Sequence, residues 1–110
     1  MSLHIRERYG LLINNEWVPA SDGAEFNVYN PANGEQLAVC AEATQADVDK
    51  AVAAATDAFK TWKIVSQVDR ADYLLKIAEA IDAHKEHLAQ VETYDNGKPI
   101  RETLNVDIPL

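Results

Sequence analysis

Few residues in this chain have the types and spacing that catalysis requires. The single cysteine, Cys40, lies in the apolar run Leu37-Ala38-Val39-Cys40-Ala41. A nucleophilic thiol needs a neighbouring base or a helix N-terminus to favour its thiolate form, and this run offers neither. We therefore expect Cys40 to pack as a small hydrophobic side chain in the core.

Two histidines, His84 and His87, lie three residues apart in a predicted helix and could begin a metal site. Helical metalloprotease motifs place their histidines four residues apart with a glutamate between them, and a third ligand is also needed. The spacing therefore favours a solvated helix face over a metal site.

Glu92 and Asp95 are also three residues apart, so their carboxylates would lie close together on a helix. They could act as acid and base or as cation ligands. Spacing alone favours the alternative, which is surface charge near a helix end. The four glycines, at positions 10, 23, 34 and 97, are too far apart to form a phosphate-binding loop.

The composition is that of an acidic globular protein, with 47% hydrophobic and 25% charged residues and a formal net charge of -8. Because an acidic chain repels phosphate backbones and anionic lipids, we expect no nucleic-acid or membrane partner. One cysteine allows no internal disulfide, and the N-terminus lacks the apolar segment of a signal peptide. These features favour a cytoplasmic location.

The first part of the chain has the pattern of short strands and turns. Residues 1–10 are predicted to form a polar arm, and residues 11–41 to form two β-hairpins. The first hairpin would turn at Asn14-Asn15, because asparagine tolerates positive φ. The second would turn between Asn30 and Gly34, where a proline and a glycine follow the usual turn chemistry.

The second part predicts amphipathic helices. A helix over 44–62 opens with the near capping box Thr44-Gln45-Ala46-Asp47. A second covers 66–95, opens at Ser66, and is expected to break near residue 84. Asn96-Gly97 is a helix stop, and a further helix is predicted over 99–107. The whole is one domain of the α+β class.

Taken together, these segments resemble the N-terminal part of NAD(P)-dependent aldehyde dehydrogenases. The resemblance covers about residues 10 to 110 in the family's order, and its closing residues are similar to acetaldehyde-type members. The segments that carry it are Ile13–Val18, Phe26–Glu35, Asp47–Ala55 with Phe59 and Trp62, Asp69-Arg70 with Leu75–Ala78, and Glu92–Pro99.

The resemblance implies an enzyme that oxidises an aldehyde to a carboxylate with NAD or NADP. A cysteine thiolate attacks the aldehyde, hydride passes to the nicotinamide, and a glutamate-activated water releases the acid. None of these catalytic or cofactor-binding residues has a counterpart in this chain, and Cys40 does not match the nucleophile motif. We therefore expect the chain alone to be inactive and to bind no cofactor.

One family feature transfers to residues of this chain. Many members hold a monovalent cation, K+ or Na+, with backbone carbonyls just before the Asn-Pro turn and an aspartate before Asn-Gly-Lys-Pro. The matching positions are Val28, Tyr29 and Asp95. The family's site also uses a downstream residue.

Members of the family are several times longer than this chain. The resemblance therefore implies part of the α/β cofactor-binding domain without its parallel sheet. Apolar helix faces would then lack a partner, so we expect a homo-oligomer. The alternatives are a stand-alone helical interaction module, and a shortened relative that regulates the full enzyme. Sequence does not identify the aldehyde or choose between NAD and NADP.

Overall fold

A computed structural model describes residues 3–110 of the chain and has an α+β architecture, which confirms the predicted fold class. Residues 1 and 2 of the predicted arm lie outside the described part. The strands are β1 (Arg8–Tyr9), β2 (Leu11–Ile13), β3 (Glu16–Val18), β4 (Glu25–Tyr29) and β5 (Gln36–Ala41). The helices are α1 (Gln45–Trp62), α2 (Gln67–Ala83), α3 (Lys85–Asn96), α4 (Ile100–Glu102) and a π-helix (Thr103–Asp107).

The strands form two small sheets. β2 and β3 pair antiparallel as a hairpin whose turn residues, Asn14 and Asn15, have φ of 50° and 64°. Positive φ at both central residues is the type I′ geometry, which matches the twist of the flanking strands. β4 and β5 form the second hairpin, and β1 adds to β5 in parallel, with Tyr9 opposite Cys40. Residues 8 and 9 of the predicted arm are thus strand.

Local capping sets the starts of the long helices. The Thr44 side chain accepts from the Asp47 N–H, while the Asp47 carboxylate accepts from the Thr44 N–H, which completes a capping box at α1. Ser66 caps α2 by accepting from the Asp69 N–H at 3.1 Å. There the Asp69 carboxylate accepts from the Ser66 hydroxyl at 2.7 Å.

The long second helix is broken at His84, which separates α2 from α3. α3 ends at Gly97, whose φ of 79° is the left-handed conformation that glycine adopts without steric cost. Pro99 precedes α4, which continues into the π-helix.

The chain folds into a flat layer with extents of 47 × 38 × 18 Å. Its radius of gyration is 17.1 Å, whereas a compact domain of this length has about 13 Å. Over residues 3–110 the buried hydrophobic residues are all alanines, at positions 20, 38 and 89. Cys40, expected in the core, is only partly buried because its sheet face borders a cavity.

The apolar stripes of α1 and α2 are exposed. Phe59 on α1 is 58% exposed, and Leu74 on α2 is 68% exposed. Trp62 meets Tyr73 edge-on, with ring centroids 5.4 Å apart, where the two helices approach. No helix in residues 3–110 has both the length and the apolar character needed to cross a bilayer.

Candidate functional site

A cavity of about 460 Å³ lies between the β4–β5 sheet and α3. Most of its lining residues are apolar, but two acidic residues of α3, Glu92 and Asp95, also line it. The remaining lining residues are Ile5, Tyr9, Val28, Leu37, Ala38, Cys40, Leu88, Val91 and Ile108. The cavity thus joins an acidic helix end to an apolar sheet face.

β4 contributes one residue to this cavity and has backbone carbonyls that its sheet does not use. Val28 lines it, and β4 is an outer strand of its sheet, so alternate carbonyls point away from β5. The β4–β5 register also shifts between Val28 and Tyr29. Such an irregularity disrupts the ladder locally, which can free a carbonyl for another ligand.

Asp95 and Glu92 lie one turn apart on α3, as their spacing predicted. In residues 3–110 neither carboxylate takes part in an ion pair. Glu92 accepts one long hydrogen bond, from Asn96 Nδ2 at 3.4 Å. Both carboxylates therefore keep free oxygen lone pairs for a ligand.

The structure brings Val28 and Asp95 to one cavity and leaves the Tyr29 side chain outside it. Tyr29 is 51% exposed, and its hydroxyl accepts from Asn27 Nδ2 at 3.2 Å. The predicted cation site uses only the backbone carbonyl of Tyr29, so the position of its side chain does not matter for the prediction. Tyr29 directly follows Val28, which lines the cavity.

The turn after β4 is held by its own hydrogen bonds. Asn30 is 7% exposed, and its side-chain oxygen accepts from the Ala32 N–H at 2.9 Å. Its backbone carbonyl accepts from the Gly34 N–H at 2.8 Å, and its N–H donates to the Glu35 carbonyl at 2.8 Å. These bonds fix where Pro31 lies.

The end of α3 is anchored to the π-helix. The Thr93 and Thr103 hydroxyl oxygens are 2.9 Å apart, and Thr103 is fully buried. Lys98 Nζ donates to Asp107 Oδ1 at 2.6 Å, and this hydrogen bond raises the pKa of Lys98. Neither contact was predicted from the sequence, since no local pattern indicates a pair nine or ten residues apart.

The remaining candidates lie apart from this cavity. His84 Nδ1 is 2.8 Å from the Ala80 carbonyl of the preceding helical turn, and His87 is partly buried. Across residues 3–110 no three His, Cys, Asp or Glu side chains come together as a metal-binding group.

The groups at the cavity suit a hard cation. Carboxylate and backbone carbonyl oxygens are the donors that such ions prefer, and a monovalent ion needs no cluster of carboxylates. The glycines of the chain lie in separate turns, so no loop here suits a dinucleotide phosphate. The carboxylate donors at the cavity are thus of a type that K+ or Na+ accepts.

Comparison with known proteins supplies the family. A model described as "Aldehyde dehydrogenase family" matches residues 17–110. DhaS of Bacillus subtilis (strain 168) is 50% identical over 102 residues, which are 91% of this chain and 21% of that protein. An acetaldehyde dehydrogenase of Pseudomonas aeruginosa is 46% identical over 105 residues, covering 96% of this chain and 21% of its own.

Solved structures agree with the sequence comparison. The NAD+ complex of an aldehyde dehydrogenase from Bacillus cereus is 43% identical, with a TM-score of 0.89 over 93% of this chain and 21% of that one. The chain therefore spans about a fifth of the length of the relatives it matches. The predicted resemblance is confirmed: this chain belongs to the aldehyde dehydrogenase family.

Proposed function

We propose that this chain is part of an enzyme that oxidises an aldehyde to a carboxylate with NAD or NADP, and that this part contributes no catalytic group. The observation that carries the proposal is the match of residues 17–110 to the family. Acetaldehyde is the first substrate to test, because one relative is an acetaldehyde dehydrogenase. NAD is the first cofactor to test, because another relative was solved with NAD+. A cytoplasmic location belongs to the same proposal.

The role of this part is architectural. NAD, when bound by the enzyme, accepts the hydride from the substrate. The Cys40 residue borders a largely apolar cavity. Such a thiol lacks the groups that activate a nucleophile. The nucleophile and the cofactor-binding groups therefore belong to other parts of the enzyme.

A monovalent cation, K+ or Na+, belongs to the proposal. Its ligands would be the Asp95 carboxylate and the carbonyls of Val28 and Tyr29. The supporting observations are the cavity shared by Val28 and Asp95 and the absence of an ion pair on Asp95 in residues 3–110. The cation would join β4 to α3 and so stiffen the layer.

Association between subunits also belongs to the proposal. Exposed apolar side chains cover both long helices, and patches of this kind mark interaction surfaces. In the whole enzyme such faces would be covered by its other parts or by a second subunit, and the proposed homo-oligomer is the second arrangement. The exposed patches also favour the second candidate function, an interaction module without catalysis.

The assay that separates these functions compares two proteins. One is the protein at the length in which its host makes it, and the other is residues 1–110 alone. We expect NAD- or NADP-dependent oxidation of acetaldehyde by the first and none by the second. If the host's protein binds partners but oxidises none of a panel of aldehydes, the interaction module is the better description.

The cation is tested by thermal unfolding of the host's protein at constant ionic strength. A ligand that binds the folded state raises Tm by mass action. We expect KCl or NaCl to raise Tm above its value in choline chloride, and Asp95→Asn to remove most of this increment. Asp49→Asn, an exposed carboxylate on α1, is the matched control.

A further inference from the structure

We propose that Gly97 is a positioning residue, and that its contact with Pro31 sets the separation between Asp95 and the β4 carbonyls. This inference rests on the proposed cation site. It assigns a role to two residues that contact no cation themselves.

Gly97 and Pro31 are each two residues from a proposed ligand. Gly97 lies just past the end of α3, two residues after Asp95, and Pro31 lies just past the end of β4, two residues after Tyr29. A Cβ atom on Gly97 would lie 3.0 Å from Pro31 Cγ and 3.8 Å from Pro31 Cβ. The first distance is shorter than an ordinary carbon–carbon contact, so glycine permits the closest approach of the two segments.

Both sides of this contact are held in place. The Gly97 N–H donates to the Thr93 carbonyl at 3.0 Å, and Thr93 is fixed to the buried Thr103. On the other side, the hydrogen bonds of Asn30 hold the turn that carries Pro31. A side chain at position 97 would therefore move α3 and β4 apart by a few tenths of an ångström.

Such a displacement matters more for a cation than for the fold. Cation–oxygen distances vary by only a few tenths of an ångström, so a movement of that size takes a ligand out of the range that binding allows. The packing here surrounds an open cavity rather than a filled core, so the layer can tolerate the same movement.

The test measures the Tm increment from KCl or NaCl over choline chloride, using the host's full-length protein. Gly97→Ala is compared with Gly23→Ala, which has a similar φ of 74° but nothing within 4 Å of an added Cβ. Both substitutions introduce left-handed strain and should lower Tm. We expect only Gly97→Ala to lose most of the increment.

Two further variants test the same contact without relying on Gly97→Ala alone. Pro31→Ala removes the Cγ atom that faces Gly97 and introduces no positive φ, so it should loosen the contact and reduce the increment. The double variant Gly97→Ala/Pro31→Ala adds a methyl carbon at position 97 and removes the ring carbon that it would meet, leaving Cβ of position 31 at 3.8 Å. We expect the rise in Tm from KCl or NaCl to be larger in the double variant than in either single variant.

The outcomes separate the inference from the proposal beneath it. No increment in the wild-type protein would overturn the cation site and this inference together. An increment that Asp95→Asn removes, but that Gly97→Ala and Pro31→Ala leave unchanged, would overturn this inference alone. Loss in each single variant with recovery in the double variant would support it.

Discussion

At the scale of single residues, the most strongly perturbed carboxylate is that of Asp47. Its Oδ2 atom accepts from the N–H groups of Thr44 and Ser21, at 2.9 and 3.0 Å, and from both hydroxyls. The Thr44 and Ser21 backbone hydrogen bonds lower the pKa of Asp47 from 3.8 to about 2. Asp47 therefore caps α1 and also ties the loop after β3 to it.

This carboxylate gives a prediction about acid stability. Since the folded-state pKa of Asp47 lies below its ordinary value, its contribution is complete above pH 3.8 and is lost as the pH falls towards about 2. We expect Asp47→Asn to lower the urea midpoint at neutral pH. The midpoint of this variant should also change less than that of the wild type between pH 3.8 and about 2. Urea unfolding from neutral pH to pH 2 measures both.

The control for this experiment is Asp57→Asn, which removes an exposed carboxylate from the same helix. If Asp47→Asn and Asp57→Asn have the same pH profile as the wild type, Asp47 does not couple protonation to folding.

The hydrogen bond between the half-buried Thr93 and the buried Thr103 gives a second prediction. Thr103→Val keeps the side-chain volume but leaves the Thr93 hydroxyl without its partner at 2.9 Å. Leaving a fully buried polar group unsatisfied costs about 1–3 kcal/mol, and the half-buried Thr93 hydroxyl should lie at the lower end, at about 1 kcal/mol. We expect Thr103→Val to lower the free energy of unfolding, measured in urea, by this amount.

Thr56→Val is the comparison for this pair. It removes a similar hydroxyl hydrogen bond, to the Val52 carbonyl at 2.8 Å, but from an exposed position on α1. A change of less than about 0.5 kcal/mol is expected there. Equal losses at the two positions would show that burial of Thr103 is not what matters.

At the scale of elements, the β2–β3 hairpin depends on two residues with positive φ. Asn15→Ala places a Cβ-bearing residue without asparagine's local hydrogen bonding at φ 64°. This conformation costs about 1–2 kcal/mol for ordinary residues. We expect Asn15→Ala to destabilise the protein by about 1 kcal/mol, measured by urea unfolding.

Asn15→Gly is the informative partner of this variant, because Asn-Gly is the preferred type I′ pair. Its stability should equal or exceed that of the wild type. If glycine destabilised the hairpin as much as alanine, the asparagine side chain itself would be what holds the turn.

The sequence predicted those elements whose signals are local. Thr44 and Asp47 are three residues apart, and Asn14 and Asn15 are adjacent. The capping box and the hairpin turn can therefore each be predicted from a few consecutive residues. The pairing of Tyr9 with Cys40 and the ion pair of Lys98 with Asp107 join distant residues, and no local pattern encodes them. For the same reason the sequence did not predict the contact between Gly97 and Pro31.

At the scale of the whole molecule, the layer is thin and many of its large apolar side chains are exposed to solvent. A face built from α1 and α2 is expected to associate with other protein, because exposed apolar area of this kind is costly in water. In residues 1–110 alone, the available partner is another copy.

This face gives a prediction about self-association. Leu74→Glu places a charge on an α2 residue that is 68% exposed, so it should reduce association of residues 1–110 without unfolding them. Gln67→Glu adds the same charge at an exposed polar position of α2. Sedimentation velocity at several concentrations should show weaker association for Leu74→Glu than for Gln67→Glu. A wild-type chain that stays monomeric at high concentration would contradict the prediction.

The most direct test of the central claim is the intact mass of the protein from its host, measured on the fraction that oxidises acetaldehyde with NAD. We expect the activity to belong to a species several times heavier than 12.2 kDa, since this chain spans 21% of its relatives. A 12.2 kDa species that oxidised acetaldehyde by itself would contradict the account, because residues 3–110 hold no activated nucleophile and no cofactor loop.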